Sequence, residues 1–243
     1  MKTISINKIK EIRSLQQKKF RDELSLFVVE GEKMVLEVLN TIPEQVEYCI
    51  VAKDFDIKEN YPTITFLEAD NETLKRCSSL QSPNKIIAII KKFKVERPKS
   101  TFILALDSIQ DPGNMGTIMR LADWFGVQEI VCSTTTVDFY NSKVIQASMG
   151  AFLRVKISYT DLELYLKETS LPIYGALLEG ENVYTQKLKS HGILLMGNEG
   201  KGISESVAKF ISNPISIPRF GGAESLNVSV ATGILLSEFM RGN

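Results

Sequence analysis

Residues 101–120 read TFILALDSIQDPGNMGTIMR. The first seven form a nearly continuous apolar run, which is the pattern of a strand buried on both faces of a parallel sheet. Pro112 and Gly113 then form a turn, and Asn114 is placed to cap a helix. Arg120 lies about one and a half turns into that helix. A strand that leads through a loop into a helix predicts an α/β domain.

The rest of the C-terminal half continues this alternation of strands and helices. Predicted strands are VQEIVCS (127–133), LPIYGALL (171–178), GILLMG (192–197) and PISIP (214–218). Predicted helices cover residues 116–126, 161–167, 204–210 and 227–241. Small residues on the last helix, Ser229, Ala231 and Gly233, would allow close packing against a neighbour. The alternation indicates a parallel sheet with helices on its faces.

The N-terminal part predicts a smaller α/β domain. Apolar residues recur at near-helical spacing among basic residues at Ile6, Ile9, Ile12 and Leu15. Strands are predicted at 26–31, 46–52 and 85–92, a helix at 32–39, and a loop followed by a helix at 67–77. Residues 93–100 are polar and basic and contain Pro98, which is typical of an interdomain linker. We therefore expect one domain over residues 1–92 and a second over residues 101–243.

Composition narrows the class of protein. The chain of 243 residues is 44% hydrophobic and 24% charged, with a formal net charge of zero, which is typical of globular proteins. No apolar run approaches the ~20 residues that span a bilayer, and the start lacks the apolar core of a secretory signal. Cys49, Cys77 and Cys132 are widely spaced, so neither a disulfide scaffold nor a metal site is predicted. We expect a cytoplasmic protein that does not contact a membrane.

Two further loops carry small and polar residues directly after predicted strands. In LLMGNEGKGISE (194–205), three glycines flank Asn198, Glu199 and Lys201. Glycine permits close backbone approach, so such a loop can wrap a small ligand. In ISIPRFGGAESLNVSVATGILLSEFMR (215–241), Ser225 or Asn227 can cap the long helix. Ligands of open α/β sheets bind beyond the carboxyl ends of the strands, where all three loops are expected.

Together the three loops resemble the three motifs of the SpoU (TrmH-type) RNA 2′-O-ribose methyltransferases. The matching pieces are N-x-G-x-x-x-R from Asn114 to Arg120, G-N-E-G from Gly197 to Gly200, and I-P followed by S-L-N-V-S-V-A. Their order and spacing also agree, and ASMGAFLRV (147–155) resembles the stretch between motifs one and two. The resemblance covers residues 101–243. Residues 1–92, with FVVEGEKMVLEVL, look like the small substrate-binding domain of the family.

The resemblance implies a fold and a reaction. The expected fold class is α/β, with a C-terminal parallel-sheet domain that contains a deep trefoil knot and a small N-terminal L30e-like domain. Members of the family are homodimers that transfer a methyl group from S-adenosylmethionine to a ribose 2′-hydroxyl of RNA. No metal is implied, because the sulfonium carries its own leaving-group activation. Family analogy favours ribosomal RNA over transfer RNA as the substrate.

The motifs also imply two groups of site residues. The polar, catalytic group is Asn114, Arg120, Glu199, Ser225 and Asn227. The donor-binding group is Gly197, Ile217 and Leu226, and Leu177 and Gly200 are expected to line the same pocket. For Ile217 and Leu226, a role in the apolar core is the alternative.

Arg120 has a more specific expected role. The family mechanism often names this arginine as the base, but a guanidinium stays protonated in proteins. We therefore expect Arg120 to bind the phosphate beside the target ribose, while a phosphate oxygen or a water accepts the hydroxyl proton. Asn114 and Glu199 would hold the arginine and the ribose, and Ser225 and Asn227 would complete the pocket. The alternative is a salt bridge on a helix surface.

The start of the chain is strongly basic. Residues 2–21 contain seven basic residues and only Glu11 against them. Lys and Arg neutralise phosphates and supply most of the affinity that does not depend on sequence. The expected RNA contacts are Lys10, Arg13, Lys18 and Lys19. On charge alone, a solvated helix face is the simpler interpretation.

Three other functions compete with a ribose methyltransferase. A non-catalytic RNA-binding protein with this fold would be expected to carry damaged motifs, whereas all five polar motif residues are present. A base methyltransferase would not be expected to carry all three ribose-type motifs. A general nucleotide-binding enzyme is disfavoured because residues 107–120 form neither G-x-G-x-x-G nor a P-loop.

Overall fold

The computed structural model describes residues 2–80, 82, 84–94 and 98–241. Strands and helices alternate along the chain. In chain order the strands are β1 (Lys2–Thr3), β2 (Leu26–Glu30), β3 (Val46–Ala52), β4 (Phe66–Ala69), β5 (Ile86–Lys91), β6 (Phe102–Leu106), β7 (Glu129–Ser133), β8 (Lys156–Thr160), β9 (Ile173–Asn182), β10 (Gly192–Met196) and β11 (Asn213–Ser216). The helices are α1 (Ile6–Ser14), α2 (Lys18–Leu24), α3 (Glu32–Thr41), α4 (Asn71–Cys77), α5 (Pro112–Trp124), α6 (Ser142–Ser148), α7 (Leu162–Glu168), α8 (Glu205–Ala208) and α9 (Val228–Met240).

The chain folds into two compact units. The first contains Met1–Lys94 together with Asp138–Leu153, and the second contains Val95–Val137 together with Arg154–Asn243. The predicted division at residues 92 and 101 placed residues 138–153 in the second domain. In the structure this segment packs within the first unit instead. Within the described residues, no helix combines the length and the apolar character needed to cross a membrane.

The first unit is built on a mixed sheet in the order β1-β4-β3-β5-β2. β1, β4 and β3 run parallel, whereas β5 is antiparallel to both β3 and β2. One face of this sheet is covered by α1 and α4, and its core includes Ile9, Ile12, Leu74, Ile87 and Ile89. The predicted amphipathic helix is confirmed at Ile9, Ile12 and Leu15, which are buried, whereas the prediction was wrong for Ile6, which is 66% exposed in the first turn of α1.

Arg21 makes a buried contact between the segment Asp138–Leu153 and the rest of the first unit. This arginine is only 2% exposed. Its Nε donates to Asp138 Oδ2 over 3.0 Å, and its Nη1 donates to the carbonyl oxygens of Leu15 and Gln16 over 2.8 and 2.9 Å. A buried charge is tolerated only when it is paired and hydrogen-bonded. The ion pair between Arg21 and Asp138 is therefore one contact of the segment with the first unit, beside the ring contacts of Phe27 with Tyr140 and Phe152.

The second unit is built on a parallel sheet in the order β11-β9-β10-β6-β7-β8. β6, β7 and β10 are buried along their whole length, as their apolar runs predict. α9 packs against α5, and at Gly233 an added Cβ would lie 3.3 Å from the Leu121 side chain. A small residue at this position therefore allows the two helices to approach closely. The predicted α/β class with a parallel-sheet domain is confirmed.

Several local expectations are corrected. α5 begins at Pro112 rather than at residue 116, and its N-cap is Asp111, not Asn114. The reason is that the Asp111 carboxylate accepts the Asn114 backbone N–H over 2.8 Å and Pro112 occupies the first helical position, which suits proline. Residues 67–69 belong to β4 rather than to a loop. β1, α2, α6 and β8 were not predicted from the sequence.

Candidate functional site

The three motif loops lie at one edge of the parallel sheet. They follow β6, β10 and β11, and the carboxyl ends of parallel strands share an edge. From β6 the chain adds β7 and β8 on one side, and it later places β10 on the other side of β6. The loops after β6 and β10 therefore meet where the strand order reverses, which is the usual ligand position in such sheets.

A chain of side-chain hydrogen bonds joins the three loops. Asn227 Nδ2 donates to Asn114 Oδ1 over 2.9 Å. Asn114 Nδ2 in turn donates to Glu199 Oε1 over 3.1 Å. Each of these residues comes from a different motif, so the structure brings three of the five predicted polar residues into direct contact.

The Glu199 carboxylate faces the start of α5. The backbone N–H groups of Gln110 and Asp111 each lie 3.4 Å from one of its oxygens. These long hydrogen bonds place a negative charge beside the N-terminus of a helix, where the helix dipole favours it. Backbone groups of motif one and the side chain of Asn114 therefore both hold the Glu199 carboxylate.

Asn227 is also the N-cap of α9. Its Oδ1 accepts the backbone N–H groups of Ser229 and Val230 over 2.9 and 3.3 Å. Of the two predicted caps, the structure therefore uses Asn227. Ser225 is exposed and has no hydrogen bond to any described residue. Ser225 is therefore not part of the series of hydrogen bonds that joins Asn227, Asn114 and Glu199.

Arg120 lies on α5 with its side chain in solvent. No ion pair or hydrogen bond joins it to any residue in the described part of the chain, including Asn114 and Glu199. The alternative of a surface salt bridge finds no partner among those residues. An exposed guanidinium is free to bind a phosphate through its fixed pair of N–H donors.

The loop after β10 is tightly folded around Gly197. A Cβ added at this residue would lie 2.2 Å from the carbonyl carbon of Gly202, a distance that no side chain tolerates. Asn198 and Gly202 exchange backbone hydrogen bonds of 2.9 Å across the loop. Gly200 is exposed, and a Cβ at Gly202 would meet no atom within 4 Å. The loop is therefore closed at its base and open at its outer side.

The predicted apolar donor-binding residues lie near the same sheet edge. Leu177 is on β9, two residues beyond the last pair with β10, Leu195 with Gly175. Ile217 directly follows β11 and is partly buried, while Leu226 precedes α9 and is 49% exposed. Because Leu226 is half exposed, it does not belong to the apolar core. Its side chain is available to a flat apolar ligand.

Two residues that organise these loops, Asp107 and Asn198, had no role predicted from the sequence. Asp107 is 4% exposed, and its Oδ2 accepts the Ser204 backbone N–H over 2.8 Å. Asn198 Nδ2 donates to the Ser108 carbonyl oxygen over 2.7 Å. The signal was present for Asn198, since an amide flanked by glycines is well suited to tie a turn together.

The cysteines do not contribute reactive groups. All three are free and buried. Burial raises the pKa of the Cys49 thiol to about 12 and that of Cys77 to about 11, so neither forms a thiolate at neutral pH. Among the described residues, no group of three or more His, Cys, Asp and Glu side chains could hold a metal ion.

The predicted RNA contacts lie on the first unit. Lys10 and Arg13 are exposed on α1, opposite its buried isoleucines, and Lys18 and Lys19 are exposed at the start of α2. Lys18 Nζ lies 3.7 Å from Asp22 Oδ2, an exposed pair that contributes little to stability. All four cations can therefore be reached by a phosphate.

Comparison with known families assigns both halves of the chain. The SpoU rRNA Methylase family model matches residues 101–237. The MRM3-like substrate binding domain model matches residues 7–88. The two matches lie within the two predicted domains, residues 1–92 and 101–243.

Known proteins resemble the chain over its whole length. The 23S rRNA (guanosine(2553)-2′-O)-methyltransferase RlmP of Bacillus subtilis (strain 168) is 29% identical over 234 residues, which is 94% of each chain. A solved TrmH-family protein of Porphyromonas gingivalis is 34% identical with a TM-score of 0.89, covering 99% of this chain and 100% of that one. The AdoMet-bound rRNA methyltransferase of Sinorhizobium meliloti is 27% identical with a TM-score of 0.88, covering 100% and 97%. The chain belongs to the SpoU rRNA methylase family.

Proposed function

We propose that this protein transfers a methyl group from S-adenosylmethionine to a ribose 2′-hydroxyl of RNA, with ribosomal RNA as the substrate class. The observation that carries the proposal is the hydrogen-bond chain from Asn227 through Asn114 to Glu199. It joins all three family motifs at the point where the strand order of the sheet reverses. The relatives named above that act on ribosomal RNA support the choice of substrate.

The residues present fit the methyl donor. The Gly197–Gly202 loop has no side chains on its open side at Gly200 and Gly202, so backbone groups can contact a ligand there. Leu226 offers an exposed apolar surface to an adenine ring. Gly197, Gly200, Leu177, Ile217 and Leu226 would hold the donor. When bound, its sulfonium supplies a methyl group whose carbon–sulfur bond breaks as the carbon–oxygen bond forms.

The protein has to orient the ribose and help its hydroxyl lose a proton. In the proposed mechanism, Arg120 binds the phosphate next to the target ribose through its exposed guanidinium. A phosphate oxygen or a water accepts the proton, because arginine remains protonated. Positioning the oxygen in line with the methyl carbon supplies much of the rate acceleration.

The other polar residues support this arrangement. The linked side chains of Asn114 and Glu199 would hold the ribose and the arginine on the motif-one side. Asn227 would fix the motif-three side, and the exposed hydroxyl of Ser225 would complete the pocket. The structure of the protein alone joins Asn114, Glu199 and Asn227, so contacts to Arg120 and Ser225 would form with RNA.

Further parts of the proposal concern the fold and the assembly. By resemblance to the family, residues 1–92 form an L30e-like domain that binds RNA, and residues 101–243 contain a deep trefoil knot. Residues 93–100 are the predicted linker, of which 95–97 lie outside the described residues. Lys10, Arg13, Lys18 and Lys19 would contact RNA phosphates. We also propose that the protein forms a homodimer and acts in the cytoplasm.

Methyl transfer to defined RNA tests the proposed function. Purified protein and labelled S-adenosylmethionine would be incubated with unmodified 23S ribosomal RNA, with assembled large subunits and with bulk transfer RNA. We expect label in ribosomal RNA or in the ribosomal particle. Label only in transfer RNA would overturn the substrate class. Donor binding without transfer to any RNA would favour the alternative, a protein that only binds RNA.

A further inference from the structure

Asn198 uses every hydrogen-bonding group of its side chain to hold two loops together. Its Oδ1 accepts the backbone N–H groups of Gly200 and Lys201, each over 3.0 Å. Its Nδ2 donates to the Ser108 carbonyl oxygen over 2.7 Å and to Glu199 Oε2 over 3.3 Å. An amide carries two donors and can accept two hydrogen bonds, so this side chain is fully used.

The two ends of the amide act on different structures. The oxygen closes the turn of its own loop, Asn198–Lys201. The nitrogen reaches the loop after β6, at Ser108, and one oxygen of the Glu199 carboxylate. The other carboxylate oxygen receives Asn114 Nδ2. Glu199 is therefore held between two asparagine amides, one from its own loop and one from the first turn of α5.

Ser108 presents its carbonyl by adopting an unusual backbone conformation. Its φ of 59° lies in the left-handed region, which is unfavourable for a residue with a side chain. Its N–H donates to Ser133 Oγ over 2.9 Å, and its hydroxyl lies 2.7 Å from Thr135 Oγ1. Such strain persists only where surrounding contacts enforce it, and it is typical of functional sites. The carbonyl that Asn198 binds is thus held in a fixed position.

We propose that Asn198 is a positioning residue for methyl transfer, and that its amide nitrogen sets the place of the Glu199 carboxylate relative to Asn114. This inference rests on the proposed function, since it concerns the same site. The amide oxygen has a separate task, which is to keep the donor-binding loop closed. The two tasks predict different effects when only one end of the side chain is changed.

Two substitutions separate the two ends. Asn198→Asp keeps an oxygen that can accept from Gly200 and Lys201, but it cannot donate to Ser108 or Glu199. Asn198→Ala removes both ends. The matched control is Asn141→Asp, because Asn141 uses its Oδ1 to accept the Lys143 N–H at the start of α6, and an aspartate keeps that bond.

The measurements are donor affinity by calorimetry, kcat for RNA methylation and the melting temperature. For Asn198→Asp we expect donor affinity within about threefold of the wild type and a kcat about 100-fold lower, the effect of a small misplacement in an oriented site. For Asn198→Ala we expect both to fall. A wild-type kcat in Asn198→Asp would overturn the proposal, as would equal losses of donor affinity and kcat in that variant.

A double-mutant cycle with Glu199→Gln tests whether Asn198 acts through Glu199. Effects of residues that act together do not add. We expect the double variant Asn198→Asp/Glu199→Gln to have the kcat of Glu199→Gln alone, whereas a product of the two losses would contradict the proposal. If Asn198→Asp does not fold, Asn198→Ala replaces it in the cycle, with kcat measured at saturating donor so that weaker donor binding does not enter the comparison.

A readout without RNA separates this inference from the proposed function. Amide hydrogen exchange at Gly200 and Lys201 should stay slow in Asn198→Asp and become fast in Asn198→Ala. Equal exchange in the two variants would overturn the division of tasks between the two ends of the amide. A wild-type protein that methylates no RNA would instead overturn the proposed function, while the exchange result would still decide about the loop.

Discussion

Asn114 Nδ2 lies 3.1 Å from Glu199 Oε1, although the two residues are 85 positions apart in the chain. The contact exists because β6 and β10 are neighbours in the parallel sheet, which brings the loops after them together. Asn114 Oδ1 also receives Asn227 Nδ2. The Asn114 amide, in the first turn of α5, thus links motif one to both other motifs, and it is the central contact of the candidate site.

Asn114→Ala is expected to separate the three motifs. The substitution removes both hydrogen bonds and leaves Glu199 and Asn227 without their common partner. We expect kcat for RNA methylation to fall about 100-fold, with donor affinity little changed, as measured by labelled methyl transfer and calorimetry. The control is Asn40→Ala, which removes only an exposed hydrogen bond from Tyr61. Full turnover in Asn114→Ala would show that the link is dispensable.

The basic residues of α1 and α2 are expected to determine how RNA affinity depends on salt. Two variants, Lys10→Gln/Arg13→Gln and Lys18→Gln/Lys19→Gln, remove these charges in pairs. Each lost phosphate contact should make the negative slope of log affinity against log salt shallower by roughly 0.7 to 0.9. The matched control is Lys33→Gln, an exposed lysine on α3. The buried residues of α3 are not part of the core beneath α1 and α4, so α3 does not belong to the basic surface that is tested. An unchanged slope in both pairs would place the RNA elsewhere.

Gly197→Ala is expected to open the loop after β10. The added Cβ would lie 2.2 Å from the Gly202 carbonyl carbon, so the loop backbone has to move. We expect donor affinity, measured by calorimetry, to fall at least about tenfold, which is a loss of about 1.4 kcal/mol. Gly221→Ala serves as the control, because a Cβ there meets no atom within 4 Å. Unchanged affinity in Gly197→Ala would contradict a donor site in this loop.

Glu129 gives the stability of the second unit a predicted pH dependence. Its Oε2 accepts the backbone N–H groups of Lys99 and Ser100 over 2.8 and 2.6 Å. Burial alone would raise the pKa of this carboxyl, but these hydrogen bonds outweigh burial and the net pKa is lowered. A lowered pKa in the folded state means that the carboxylate stabilises the fold above its unfolded pKa of about 4.3. This stabilisation is lost as pH falls through the folded pKa.

Glu129→Gln tests this effect. We expect the free energy of unfolding to drop by about 1–2 kcal/mol at pH 7. The difference from the wild type should shrink well below pH 4, where the carboxyl becomes protonated in both states. Urea unfolding at pH 7 and at about pH 3 measures both values. An equal difference at the two pH values would show that the charge of Glu129 does not contribute.

The sheet strands could be predicted because they depend on local pattern. Val46–Ala52 has the predicted bounds, and Phe102–Leu106 lies inside its predicted range. Long apolar runs leave few alternatives to buried strands. The start of α5 was wrong by four residues, although the sequence Asp111-Pro112 carries the signal of a cap followed by proline at the first helical position.

Contacts between distant residues could not be predicted in the same way. The packing of Asp138–Leu153 with the first unit includes the ion pair between Asp138 and Arg21, and basic residues near the chain start otherwise indicate an exposed surface. The motifs did identify Asn114, Glu199 and Asn227. The motif G-N-E-G also contains Asn198, but it did not show that the amide nitrogen of Asn198 binds the Ser108 carbonyl oxygen, because that carbonyl is presented by a backbone conformation that no motif encodes.

The position of the transferred methyl group tests the central claim most directly. RNA labelled by the wild type would be hydrolysed in alkali, which cleaves beside every free 2′-hydroxyl, and Arg120→Ala would be measured alongside in single turnovers. Arg241→Ala is the matched control, an exposed arginine paired with Glu238. We expect label in one alkali-resistant dinucleotide, with a rate at least about 100-fold lower in Arg120→Ala and normal in Arg241→Ala. Label released on a free mononucleotide, or full turnover in Arg120→Ala, would contradict ribose methylation at this site.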